Sequence, residues 1–145
     1  MEVRDFGKVG VLMGGPSSER EISLKSGKAV LLALWESSVN AEGIDIITDN
    51  EQENIELLRS HNLDCVFIVL HGRFGEDGTI QSILEKMGLP FTGSGVEASR
   101  LAMDKIGSLE IFRKQGLYTP NFMPLERPDY NKRNDIKHHM RFHPV

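Results

Sequence analysis

Two stretches of this chain set chemically capable side chains directly behind an apolar run and among glycines. In the first, Val9 to Ser23 (V-G-V-L-M-G-G-P-S-S-E-R-E-I-S), a run of strand length ends at Gly14 and Gly15 and is followed by the acid Glu19. Paired glycines permit a tight turn with close backbone approach. Ser18 with Glu21 three residues later has the spacing of a capping box, so helix N–H groups are expected to point at the opening where Glu19 stands. An acid there would be held in place, although the same spacing also fits a capped helix whose Glu19, Arg20 and Glu21 are simply solvated. In the second stretch, Cys65 to Leu70 runs straight into His71-Gly72-Arg73-Phe74-Gly75-Glu76-Asp77-Gly78. This loop offers an imidazole able to donate a hydrogen bond to a negative oxygen, an arginine, and two adjacent acids that spacing alone would assign to a metal.

These loops need a scaffold, and the apolar periods supply one. Ile22, Ala29, Val30, Ala33 and Leu34 fall on one helical face through about Glu36, and Gly43 to Thr48 reads as a second strand. Asn50 to Ser60 suggests a short surface helix. Cys65 to Leu70 is apolar on both faces, as the middle strand of a parallel sheet requires. Ile80, Ile83, Leu84 and Met87 form a helical stripe closed by Gly88 and Pro90. Phe91 to Gly95 reads as a short strand, and Ala98, Ala102, Ile106, Leu109 and Phe112 as one face of a single helix ending near Gly116. The order predicts an α/β fold: a Rossmann-like three-layer domain with a mainly parallel sheet. In such sheets ligands bind beyond the carboxyl ends of the strands, which is where both loops fall, so Glu19 and His71 are expected to face one cleft.

The balance of the chain removes several classes. With 145 residues, 39% hydrophobic and 26% charged, it reads as a globular protein, and a net charge of -4 argues against a nucleic-acid or other polyanion partner. Cys65 is the only cysteine, which excludes a disulfide or Cys-rich metal site and suggests a buried core thiol in a reducing compartment. The charged start Met1 to Lys8 lacks a signal core and no apolar run approaches the ~18 residues of a membrane span, so the chain reads as cytoplasmic. From Pro120 onward, Pro124, Pro128 and the polar Asp129 to Lys137 read as linker, and His138, His139 and His143 are not assigned a metal. The G-x-G-x-x-G of a dinucleotide binder is missing after the first strand.

Three motifs occur in a telling order: G-G-x-S-x-E-R-E-x-S at Gly14 to Ser23, H-G-x-x-G-E-D-G-x-I-Q at His71 to Gln81, and Thr92-Gly93-Ser94-Gly95 followed by Ala98-Ser99 and Met103-Asp104-Lys105. Together they resemble the D-alanine:D-alanine ligases over residues 8 to about 124. The resemblance implies a pre-ATP-grasp substrate domain over residues 1–95, a helix and connection over 96–124, and a linker or the start of the ATP-grasp domain over 125–145. It implies ATP-dependent joining of two D-alanines through an acyl-phosphate, for peptidoglycan precursors in the bacterial cytoplasm, with Mg2+ and a homodimeric enzyme. Glu19 matches the family acid that holds the ammonium of the first D-alanine, His71 the histidine beside the substrates, and Lys105 the first ATP-contacting lysine. Gly14, Gly15, Ser18, Gly75, Glu76, Asp77 and Gly78 match the loops that support the substrates, which withdraws the metal from Glu76 and Asp77. Ser82 departs from the family, which usually has glycine there. The final Phe142-His143-Pro144-Val145 resembles the start of a family strand that leads to the next nucleotide lysine. The 145 residues by themselves are therefore expected to be inactive and to bind no nucleotide tightly, the alternative being a stand-alone binding or dimerisation module.

Overall fold

A computed structural model describes residues 5–122. The elements are β1 (Val9–Gly14), α1 (Arg20–Glu36), β2 (Ala41–Ile46), α2 (Glu51–Ser60), β3 (Cys65–Ile68), α3 (Thr79–Met87), α4 (Val96–Met103) and α5 (Lys105–Lys114). The three strands are parallel in the order β2-β1-β3, with Leu12 in register with Ile44 on one side and Ile68 on the other. Among the described residues the chain divides into two units, with the boundary between residues 108 and 109.

Side chains alternate across a strand, and the alternation here builds two cores. Leu12, Ile44, Ile46 and Val66 pack with Leu58 of α2 and with Ile80, Ile83 and Leu84 of α3. Val11, Met13, Phe67 and Val69 meet Leu24, Val30, Leu31 and Leu34 of α1 on the opposite face. Helices thus cover both faces of the sheet, giving three layers.

Four expectations require correction. The central strand is β1, all six of whose residues are buried, whereas β3 has β1 on one side and a single bridge from Val66 to Phe91 on the other. The strand expected at Phe91 to Gly95 is that one rung, made by Val66 N–H to the Pro90 carbonyl and Thr92 N–H to the Val66 carbonyl. Second, the face that α1 turns to the sheet is only partly the one expected: Val30 and Leu34 pack against it, but Ala29 and Ala33 are exposed, Ile22 is 59% exposed, and Ser23 and Gly27 are the buried residues. A β-carbon on Gly27 would lie 2.5 Å from Cβ of Met13, so small residues set how closely this helix sits. Third, Cys65 is half-buried, its thiol 3.6 Å from the Phe6 carbonyl, and burial raises its pKa. Fourth, the helix expected from Ala98 to Phe112 is broken at Asp104, whose Oδ1 accepts from the N–H groups of Ile106 and Gly107, so the residue that ends α4 caps the start of α5. Ala98, Ala102, Ile106 and Phe112 are exposed and Ser99 is the buried residue of α4.

The stripe of α3 holds as read: Ile80, Ile83 and Leu84 are buried between left-handed glycine caps at Gly78 and Gly88. Asn50 caps α2 by accepting from the Glu53 N–H at 3.1 Å.

Candidate functional site

The site is assembled where β1 and β3 end. β1 stops at Gly14, whose φ of +84° only glycine adopts readily. A β-carbon there would run into the Asp45 carboxylate and the Arg20 guanidinium and would come 3.1 Å from the Ile46 carbonyl. The space is needed because Arg20 holds Asp45 through two bonds of 2.9 and 2.7 Å and reaches the Ile46 carbonyl at 3.0 Å, tying the first turn of α1 to the end of β2. Ser23, fully buried, does the same for the other side: its hydroxyl accepts from the Gly14 N–H at 2.9 Å and donates to the Val69 carbonyl at 2.6 Å.

The capping box does not form. The N-cap position of α1 is Glu19 and no side chain caps it, which leaves Ser18 exposed one residue too early. Ser17 takes the bonding role instead: its Oγ accepts from the Glu19 N–H at 3.1 Å and donates to the His71 carbonyl at 2.8 Å. Glu19 itself leans over the second loop, so that a β-carbon on Gly72 would lie 3.0 Å from Glu19 Oε1. Gly72 has φ +67°. Among the described residues the Glu19 carboxylate has no hydrogen bond or ion pair.

The second loop is held from within by its own acids. Glu76 Oε2 accepts from the Gly72 N–H at 3.0 Å, while Oε1 stands 3.7 Å from His71 Nδ1. Asp77 accepts from the N–H groups of Phe74 and Thr79, each at 3.0 Å. Burial raises the pKa of Asp77, but these bonds, with the Thr79 hydroxyl and the Arg73 charge, outweigh it and hold the carboxyl below its ordinary value. Phe74, buried and at φ +74°, anchors the loop in the core. Gln81 donates to the Gly75 carbonyl at 2.8 Å from the first turns of α3. His71 and Gln81 line a cavity of about 470 Å³ together with Gly75, Glu76, Ser94 and Met103, and in both residues the remaining polar atom, His71 Nε2 and Gln81 Oε1, is buried without a partner. Glu19 is not on its wall. The common cleft expected for Glu19 and His71 is thus not the cavity that His71 lines: the Glu19 carboxylate stands over the backbone of the second loop at Gly72, while the buried His71 Nε2 keeps unmet hydrogen-bonding capacity on the cavity side, a carboxylate that suits an ammonium and an imidazole that suits a negative oxygen.

The family model described as D-ala D-ala ligase N-terminus matches residues 45–94. The D-alanine–D-alanine ligase of Nitrosomonas europaea is 52% identical over 126 residues, covering 87% of this chain and 40% of the relative. That of Polynucleobacter asymbioticus is 50% identical over 132 residues, covering 90% and 38%. This chain is related to the N-terminal region of D-alanine–D-alanine ligases. Among solved structures, the D-alanine–D-alanine ligase of Bacillus anthracis complexed with ATP is similar at 33% identity with a TM-score of 0.68, over 86% of this chain and 42% of that one. The chain thus spans about 40% of the length of the curated ligases it matches.

Of the residues matched to ligase motifs, Gly14, Gly15, Glu19, His71, Gly75, Glu76 and Asp77 lie in the two loops at one sheet edge, while Gly78, at the start of α3, faces Val96 and Arg100 of α4. Lys105 opens α5, is exposed, and among the described residues has no hydrogen bond or ion pair with them. Residues 125–145, with His138, His139 and His143, lie outside the described residues. Sequence reasoning passed over Ser17, Ser23 and Gln81. Ser17 and Ser23 stand at the serine positions of the first motif and Gln81 closes the second, so the signal was present, but it does not say which backbone groups such side chains reach.

Proposed function

We propose that this chain carries the amino-acid-binding end of an ATP-dependent ligase that joins two D-alanines into D-alanyl-D-alanine for peptidoglycan precursors in the bacterial cytoplasm. The observation that carries the reading is the bare Glu19 carboxylate held over Gly72, one residue from His71. At the N-cap of α1 it stands where the helix dipole favours negative charge, and it pairs with the ammonium of the first D-alanine. His71 Nε2, buried and without a partner, is the ring nitrogen available to the substrate carboxylate or to the oxygen of the tetrahedral intermediate.

ATP and Mg2+ belong to the same reading, with Lys105 as a point charge on a phosphate oxygen. Among the described residues no group of three His, Cys, Asp or Glu side chains is placed to hold a metal, and one exposed lysine does not make a nucleotide site. The described residues by themselves therefore do not fit either group. The 145 residues alone are expected to release no phosphate from ATP in the presence of D-alanine.

The test is Glu19→Gln in the ligase that carries these residues. Losing a charged hydrogen bond raises the KM of the first D-alanine roughly tenfold to a hundredfold and leaves that of ATP unchanged. Equal losses for both substrates would mean a folding defect and would sink the assignment. A second reading, a binding or dimerisation module, draws on α1, where Ile22, Leu32 and Trp35 are each more than half exposed. Light scattering on the purified chain tests it: a homodimer is compatible with both readings, and a monomer overturns the dimerisation module; no helix among the described residues is long and apolar enough to cross a membrane.

A further inference from the structure

Among the described residues, one side-chain hydrogen bond joins the turn after β1 to the loop after β3, and Ser17 makes it. Its hydroxyl uses both capacities at once, accepting from the Glu19 N–H at 3.1 Å and donating to the His71 carbonyl at 2.8 Å. A hydroxyl that does both has its proton committed in one direction. The backbones close around it: a β-carbon on Gly72 would lie 3.5 Å from Ser17 Oγ and 3.0 Å from Glu19 Oε1. Ser17 is not on the wall of the cavity that His71 lines, so it acts on the site through its neighbours.

We propose that Ser17 is a positioning residue, the strut that fixes the distance between the Glu19 carboxylate and His71 and thereby the grip on the ammonium of the first D-alanine. The proposal rests on the reading of Glu19 given above. Without the hydroxyl, the Glu19 N–H and the His71 carbonyl lose their shared partner, the loop after β3 keeps its tie at Val69 through Ser23 but loses the one at His71, and Glu19 samples positions off the substrate. Arg20 and Ser23 still anchor α1 to β2 and β3, so the fold persists.

In the ligase that carries these residues, Ser17→Ala raises the KM of the first D-alanine about three- to tenfold, with the KM of ATP unchanged. Ser17→Thr, which keeps the hydroxyl, restores most of the loss. In a Glu19→Gln background Ser17→Ala adds nothing, because the strut has no charge left to place. An unchanged KM in Ser17→Ala, equal losses for both substrates, or full additivity with Glu19→Gln overturns the proposal. Should Glu19→Gln itself leave the KM unchanged, the reading of Glu19 fails, and the strut is judged by amide hydrogen exchange on the 145-residue chain. The Glu19 amide then exchanges faster in Ser17→Ala than in the parent or in Ser17→Thr, and an unchanged rate overturns it.

Discussion

The two edges of the sheet place their acids differently. At the amino-terminal edge Glu42 is shared between two side chains, with Lys8 Nζ 2.9 Å and His61 Nδ1 2.8 Å from the same oxygen, and Asp64 accepts from the Lys8 N–H at 2.7 Å. At the carboxyl-terminal edge Arg20 and Asp45 are paired as well, but Glu76 and Asp77 are bound to backbone N–H groups of their own loop, and among the described residues Glu19 is left without a partner. Charges that satisfy each other hold a structure together and are closed to a ligand. Acids that accept from backbone shape a loop without consuming any side-chain cation, which leaves the neighbouring carboxylate available for binding.

This contrast breaks first at Gly14. Gly14→Ala forces a non-glycine residue to φ +84° and drives its methyl into the Arg20–Asp45 pair, with an expected loss of about 3 kcal/mol in urea unfolding. Next is Ser23→Ala, which leaves the buried Gly14 N–H and Val69 carbonyl without their shared partner and costs about 2 kcal/mol in the same experiment. A smaller loss than that of an exposed serine would show that the carboxyl-terminal edge is not built around this hydroxyl.

The smallest effect separates the two edges by pH and salt. Glu42 is held below its ordinary value of 4.5 by the hydrogen bond from Lys8 and by His61, against the opposing effect of burial. Because the folded state keeps this proton off more strongly than the unfolded chain, its contribution is present above 4.5 and is lost as pH falls through the lower folded value. Asp77, also lowered, follows the same sign from 3.8 downward. Glu42→Gln and Asp77→Asn should each flatten the acid limb of the unfolding midpoint. Added salt is expected to shrink the Glu42 difference, which depends on ion pairs, and to spare the Asp77 difference, which depends mainly on hydrogen bonds. Equal salt sensitivity would erase the distinction.

What the sequence shows plainly is the pairing of strand ends with glycine-bearing loops, which brings Glu19 and His71 to one edge, and the stripe of α3. What it hides depends on close contact. The buried face of α1 is marked by Ser23 and Gly27 instead of its larger apolar residues, because the helix approaches Met13 too closely for them. A hydrophobic period cannot register that. Ser18 and Glu21 have capping-box spacing, yet the helix begins at Arg20 and the hydroxyl in use is that of Ser17, since its second partner is a carbonyl far along the chain. Cys65 to Leu70 has the composition of a central strand, but β1, shorter in apolar run and interrupted by Gly10, takes the centre through pairing that composition does not encode.

The central place of β1 bears on how the molecule is made. It precedes both strands that flank it, Ala41–Ile46 and Cys65–Ile68, and neither can be reached by a local hairpin. At about 5–20 residues per second, a ribosome delivers β3 seconds after β1 has emerged. Until Ala41–Ile46 emerges the most buried strand of the finished sheet is an unpaired apolar ribbon, and its other side stays open until Val9 and Cys65 come into register, so the nascent chain's need for a chaperone is greatest before the second strand arrives and ends with the third.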